Sequence, residues 1–217
     1  MKIHIITIFP EIFESYLSFS ILGRAIDKGL FQCELYKLND FSDDNFKRVD
    51  DKAYGMHGQV ISAIPLAKSI ESIYDNVGHK IPVIYMTPSG DLLNQEKIEK
   101  YYESLDNEFI IICGHYEGID QRIIDIYVDY SISIGEYVLT SGELSTCVFI
   151  DALVRHIPGV IGNIKSLEED SFSEKFDRKK EYPVYTRPEI FMGKSVPNIL
   201  LSGNHKEIEN WKKENLR

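Results

Sequence analysis

Three cysteines, Cys33, Cys113 and Cys147, are too few and too scattered for a disulfide framework, and none has a second Cys or His at zinc-ligand spacing. They read as small buried residues of a reducing compartment. Nowhere does the chain offer the roughly 18 consecutive apolar residues of a membrane span. The opening run MKIHIITIFPEIF is broken by Pro10 and Glu11 and has no small-residue cleavage site. A soluble, cytoplasmic protein with no membrane partner is expected. Positive charge is short as well: 24 Lys and Arg stand against 34 Asp and Glu, a net charge of −10. Nucleic-acid affinity rests largely on phosphate neutralisation by such residues, so a broad basic binding face is excluded, though a local patch is not. Neither a G-x-G-x-x-G turn nor a Walker loop is present, which removes the usual dinucleotide and nucleoside-triphosphate signals.

What the chain has is an ordinary globular composition, 43% hydrophobic and 27% charged, long enough to bury a sizeable core. Short, nearly continuous apolar runs alternate with helix-like segments. Strands are expected at Lys2–Thr7, Phe31–Leu38, PVIYM, EFIIIC and DYSISI. Helices are expected from Pro10, over Ser20–Leu30, Ala63–Asn76, Gln95–Leu105 and Asp120–Ile126. That order indicates an α/β domain with a mostly parallel sheet, in which ligands sit beyond the carboxyl ends of the strands. Three of these ends are punctuated by Pro or Gly: TPSG at Thr87–Gly90, GHYEG at Gly114–Gly118, and GEYVLTSGE from Gly135. Each strand is expected to stop there, placing three loops around one small-molecule pocket.

The helix from Gly142 to Ile157 is apolar on nearly every face and is therefore expected to be buried, in the core or against another subunit. Asp151 and Arg155 lie four apart on it; an arginine in such surroundings is costly unless it meets an anion. Glu117, at a strand end, is placed to accept hydrogen bonds from a ligand amine or amidine, or is a solvated turn acid. Asn39–Gly58 is a long polar loop, functional or mobile. Beyond Asn163 the polar run SLEEDSFSEKFDRKKEY reads as a mobile linker, and composition gives Asp170 no distinction there. The division expected is 1–162, a linker at 163–180, and a small unit at 181–217 holding an amphipathic helix around Asn204–Glu214.

The strings FPEIF, SILGRAIDKG, VDDKAYG, TPSG, IICGHYEGIDQR, ISIGEYVLTSGEL, IDALVRHIPGVIGN, EEDSF and YPVYTRPEIFMGKSVPNILLSGNHKEIENW, in this order, closely resemble the bacterial tRNA (guanine-N1)-methyltransferases, the TrmD family. The resemblance runs almost the whole length. It implies a SPOUT-class methyltransferase fold with a trefoil knot in the first domain and a small, mainly helical carboxyl-terminal domain for tRNA. It further implies a homodimer with shared active sites, and S-adenosyl-L-methionine as methyl donor to N1 of the guanosine at tRNA position 37, beside the anticodon.

Carried over by motif, the cofactor pocket comprises Tyr85, Met86, Thr87, Pro88 and Gly90; Gly114, Tyr116, Glu117 and Gly118; and Ile134, Gly135, Tyr137, Leu139 and Gly142. Asp170 matches the family's general base for the N1 proton, Arg155 the residue facing charge on guanine O6, and Glu117 the one that holds the base or a magnesium ion. The chain departs from the family pattern in AYGMHGQV from Ala53, in His115 where arginine is usual, and in Ser141 where a glycine pair begins. Two other readings stay open: a knotted adenosylmethionine- or RNA-binding protein of reduced activity, and a SPOUT enzyme acting on another RNA.

Overall fold

The computed structural model describes residues 1–217 except Met56, Asp106 and residues 163–168. It divides into two compact units, Met1–Gly162 and Asn163–Arg217.

The first unit is built on five parallel strands in the order β2-β1-β6-β5-β7: β1 Lys2–Thr7, β2 Gln32–Lys37, β5 Val83–Leu92, β6 Glu108–Cys113 and β7 Tyr130–Ser133. Helices α1 Glu11–Leu17, α2 Ser20–Asp27, α3 Ala63–Val77, α4 Gln95–Ser104, α5 Gln121–Tyr127 and α6 Gly142–Val154 make the connections. The central strands β1 and β6 are buried after their first residue, which is why IHIIT and FIIIC show no polar-apolar alternation. One sheet face packs Ile3, Ile5, Phe109 and Ile111 against Phe13, Phe149 and Leu153. The other packs Ile6, Ile110, Ile112 and Val83 against Leu66, Ile70 and Ile73 of α3.

Local chemistry sets the element ends. The Asn94 side chain accepts the Lys97 amide at 2.9 Å to start α4, and Asp120 accepts that of Arg122 at 2.9 Å to start α5. Helix α3 stops at Gly78, whose left-handed φ of 86° brings its amide 2.7 Å from the Tyr74 carbonyl. The one polar side chain in mid-β1, His4, is fully buried between the Tyr36 hydroxyl at 3.1 Å and Glu108 at 3.0 Å.

Two expectations need correction. Thr87–Gly90 does not end a strand: β5 continues to Leu92, and its pairing with β7 jumps between Met86 and Asp91, both opposite Ile132. The Pro/Gly segment is a bulge within β5. Gly90 lies on the backbone of β7, where a Cβ would come within 2.5 Å of the Ile132 nitrogen. Nor is α6 buried all round, since Leu144 is 58% and Val148 42% exposed, and Arg155, just past its end, lies in solvent. The expected cost of burying that arginine in this chain therefore does not arise.

The stretch 39–58, expected as a polar loop, opens in a turn of 3-10 helix that starts one residue earlier, Leu38–Phe41, and holds one strand of an antiparallel ribbon, β3 Asp50–Lys52 with β4 Gln59–Ile61.

In the second unit, an aromatic chain runs from Phe176 through Tyr182 and Trp211 to Tyr185, with ring centroids 6.0–6.4 Å apart. The Lys212 ammonium sits 5.1 Å from the Tyr182 ring centre. The unit also holds a short hairpin, β8 Ile190–Phe191 with β9 Lys194–Ser195, and helices α7 Asn198–Leu201 and α8 His205–Glu214. The stretch expected to be a linker begins in residues 163–168, outside the described residues. Its described part, 169–180, is tied into this unit: Phe176 is buried, and Lys180 and Arg217 exchange backbone hydrogen bonds at 2.7 and 3.0 Å.

Candidate active site

At the bulge of β5 and beyond the carboxyl ends of β6 and β7 lies a cavity of about 390 Å³, within the roughly 300–1,000 Å³ usual for small-molecule sites. The β5 bulge supplies Tyr85, Met86, Thr87, Pro88 and Ser89. The loop after β6 supplies Gly114, His115, Tyr116, Glu117 and Gly118. Beyond the end of β7 come Ile134, Gly135, Tyr137, Val138, Leu139, Thr140 and Ser141, then Gly142 and Ser145 of α6. Thirteen of the fourteen residues expected to hold the cofactor line this one cavity, and Gly90, packed on β7, stands behind its wall.

The walls approach one another closely, and glycine permits it. The Gly142 amide donates to the Gly114 carbonyl at 2.8 Å, and a Cβ on Gly142 would sit 2.5 Å from the Gly114 nitrogen and 2.9 Å from Cys113 Cα. Any side chain there would meet main chain, which cannot rotate away. Tyr85 fills the gap between β5 and the β6 loop; its hydroxyl lies 3.1 Å and 3.4 Å from where Cβ atoms on Gly114 and Gly118 would be. Burial pushes the Tyr85 phenol above its ordinary value, so it stays neutral near neutral pH.

Beneath the β6 loop is a buried polar knot of side chains. The Glu143 carboxylate, in the first turn of α6, is fully buried; it accepts the Thr7 hydroxyl at 2.7 Å and faces His115 Nε2 at 2.9 and 3.1 Å. It joins the ends of β1 and β6 to the start of α6. Sequence reasoning missed this group, although a carboxylate in an otherwise apolar helix was a usable signal.

The β3–β4 ribbon was missed too. Glu117 donates its amide to the Gln59 carbonyl at 3.0 Å, Ile61 donates to Gly118 at 3.0 Å, and Asp120 donates to Ile61 at 3.1 Å. The ribbon thus extends along the pocket loop and fixes Glu117, whose side chain lies over Gly58, where φ is 106° and a Cβ would come 2.7 Å from Glu117 Cγ. Tyr116, itself at φ 58°, leans towards Asp50 of β3; burial, and then Asp50, raise its phenol pKa.

Asp151 and Arg155 are not in this cavity. They border a separate groove with Ile12, Tyr16, Phe19 and Ile21, in which the Tyr16 hydroxyl donates to Asp151 at 2.6 Å. That bond holds the Tyr16 proton, pushing its pKa to about 12. Asp170 belongs to the second unit, half-buried, its carbonyl accepting the Ser173 amide at 3.2 Å.

The family model "tRNA (Guanine-1)-methyltransferase TrmD" matches residues 1–217. The chain belongs to this family. It is 46% identical over 216 residues to a tRNA (guanine-N(1)-)-methyltransferase of Clostridioides difficile strain 630, covering 99% of this chain and 91% of that protein. A protein of the same name from Caldicellulosiruptor saccharolyticus is 46% identical over 214 residues, 98% of this chain and 84% of the relative. Among solved structures, the tRNA (m1G37) methyltransferase from Aquifex aeolicus superposes with a TM-score of 0.79 at 34% identity, over 99% of this chain and 88% of that one. The expectation from motifs and these matches agree on a methyltransferase acting on tRNA guanine. Among the described residues no helix is long and apolar enough to cross a membrane.

Proposed function

We propose that this protein methylates N1 of the guanosine at tRNA position 37 in the cytoplasm, using S-adenosylmethionine held in the three-loop cavity. The observation that carries the reading is the convergence of the β5 bulge, the β6 loop and the α6 entry on one cleft. There, Gly114 and Gly118 bring main chain to the cavity wall between apolar Ile134 and Leu139 and the Glu117 carboxylate. Such a surface fits an adenosyl amino acid: apolar slots for the base, backbone groups for its edges, an acid for a cation. When bound, adenosylmethionine supplies an electrophilic methyl group. The tight passage of α6 against the β6 loop supports a trefoil knot in residues 1–162.

The remaining roles fall to this chain's own residues. Asp170 takes the N1 proton of guanine, Arg155 stabilises charge accumulating on O6, and Glu117 holds the base. Among the described residues no group of three His, Cys, Asp or Glu is arranged to hold a metal. Glu117 is therefore assigned to guanine, and no step runs through magnesium.

Arg155 borders a groove lined by exposed Ile12, Phe19 and Ile21, and α6, which brings Asp151 to that groove, also exposes Leu144 and Val148. Apolar surface of that kind is a mark of a protein interface. We assign it to a second copy of the chain, with the site shared between copies. Acidic residues outnumber basic ones 24 to 13 in residues 1–162, but basic residues lead 11 to 10 in residues 163–217. The tRNA backbone is accordingly assigned to the second unit, with 181–217 as its binding domain. Incubation with adenosylmethionine and an unmodified tRNA bearing guanosine at position 37 should yield 1-methylguanosine in the digested RNA. Cofactor binding by a folded dimer without product would instead favour a binding module, and product at another guanosine a different RNA target.

A further inference from the structure

Asp170 is pinned through its neighbours on both sides. The Glu169 carboxylate before it has both oxygens engaged: Oε1 accepts the Lys175 ammonium at 2.9 Å, and Oε2 accepts the Tyr182 hydroxyl at 3.4 Å with the Lys212 ammonium 3.7 Å away. After it, Ser171 Oγ accepts the Glu181 amide at 3.1 Å. The Phe172 amide donates to the Lys179 carbonyl at 2.7 Å, and the Phe172 carbonyl accepts Arg178 Nη1 at 3.0 Å. A stretch whose composition reads as a mobile linker thus carries the proposed base in a closed turn.

We propose that Glu169 is a positioning residue for methyl transfer: its three-donor clasp fixes the Asp170 main chain on the second unit, so that the base is in place before tRNA binds. This rests on the reading of Asp170 as the base. The donors are anchored independently of Glu169, which gives the clasp a fixed frame. Lys175 stands in a turn of 3-10 helix at Glu174–Phe176, and Lys212 in α8, where Glu209 also bonds it at 3.0 Å. The Tyr182 ring packs against Phe176 and Trp211, with the Lys212 ammonium over its face.

The clasp is ionic but partly solvated. Lys175 first, then Lys212 and the Tyr182 hydroxyl, hold the Glu169 carboxyl below its ordinary value against the contrary pull of burial, so it is ionised near neutral pH. Glu169 nevertheless keeps 39% and Lys175 47% of the side chain exposed, and exposed ion pairs add little to stability. The effect of the clasp is therefore on geometry. A catalytic group displaced by about 1 Å can lose up to roughly a hundredfold in rate, and a turn loosened on one side should lose roughly tenfold.

Single-turnover methylation at saturating tRNA and adenosylmethionine, in the Asp170 and Asp170→Ala backgrounds, tests the proposal as a double-mutant cycle. Glu169→Ala should slow methyl transfer roughly tenfold when Asp170 is present. It should leave the residual rate unchanged when Asp170 is absent, because a missing base cannot be misplaced. Lys175→Met, at an exposed site, should show the same pattern at roughly threefold and serves if Glu169→Ala fails to fold. Filter binding should give Glu169→Ala the tRNA affinity of the wild type. An equal loss of rate in both backgrounds would mean a merely structural role and overturn the inference alone. So would a Glu169→Ala protein as fast as the wild type at saturation, whether or not its tRNA affinity falls. An Asp170→Ala protein as fast as the wild type would overturn the reading of Asp170 as the base, and the inference with it.

Discussion

Replacing Gly142 with alanine should loosen the pocket from its tightest point. The new Cβ would lie 2.5 Å from the Gly114 nitrogen, 2.9 Å from Cys113 Cα and 3.0 Å from Cys113 carbonyl carbon. All three are main chain, so relief requires α6 or the β6 loop to move, weakening the 2.8 Å bond between Gly142 and Gly114. Alanine in a helix gains at most about 1 kcal/mol over glycine, while overpacking typically costs about 1–3 kcal/mol or more. A net loss of about 1–2 kcal/mol is expected, which for a chain of this size lowers Tm by roughly 2–8 °C. Because Gly114 is a wall of the cavity, adenosylmethionine affinity should fall by at least roughly tenfold, about 1.4 kcal/mol. Gly78→Ala is the control: its φ is 86° but no atom lies within 4 Å of the added Cβ, so it should cost stability with no change in binding. Thermal melting and calorimetry on both variants decide the matter. A Gly142→Ala protein that binds like the wild type, however far its Tm shifts, would refute the contact as the pocket's closure.

Three further outcomes follow from the same structure. Asp170→Ala should lower the methylation rate by roughly 10²–10⁴-fold while leaving adenosylmethionine binding intact, measured by single-turnover kinetics beside calorimetry. Leu144→Glu with Val148→Glu, on the exposed stripe of α6, should give a monomer in light scattering that retains its circular dichroism spectrum but not its activity. Burial holds His156 below its ordinary value of 6.5; on unfolding it takes up a proton, so its contribution is present above about pH 6.5 and is lost as pH falls. Denaturation of wild type and His156→Gln at pH 7.5 and 5.5 should show the wild type losing more stability.

The sheet was legible because its strands are short, apolar runs with turn residues at their ends, and the observed boundaries of β1 and β6 follow them residue for residue. The pocket was legible at the level of loops, since glycine marks close backbone approach. Three things were not. The β5 bulge looks like a strand end, because a register jump depends on what β7 offers opposite Ile132. The α6 pattern shows apolar residues all round without saying that Leu144 and Val148 stand exposed. The His115–Glu143–Thr7 group joins residues up to 136 positions apart, a separation no local periodicity reports. Asp170 carried no compositional signal; only the EEDSF resemblance singled it out.

The central claim, a site completed by two copies of the chain, is tested most directly by mixing two inactive variants. Asp170→Ala removes the proposed base but keeps the cavity; Leu139→Arg places a cation in the cavity but keeps Asp170. Refolded together at equal amounts, the mixture should regain about a quarter of wild-type 1-methylguanosine formation, since half the dimers are mixed and each has one intact site. A mixture no more active than its parents, with mixed dimers shown by mass spectrometry, would contradict the account.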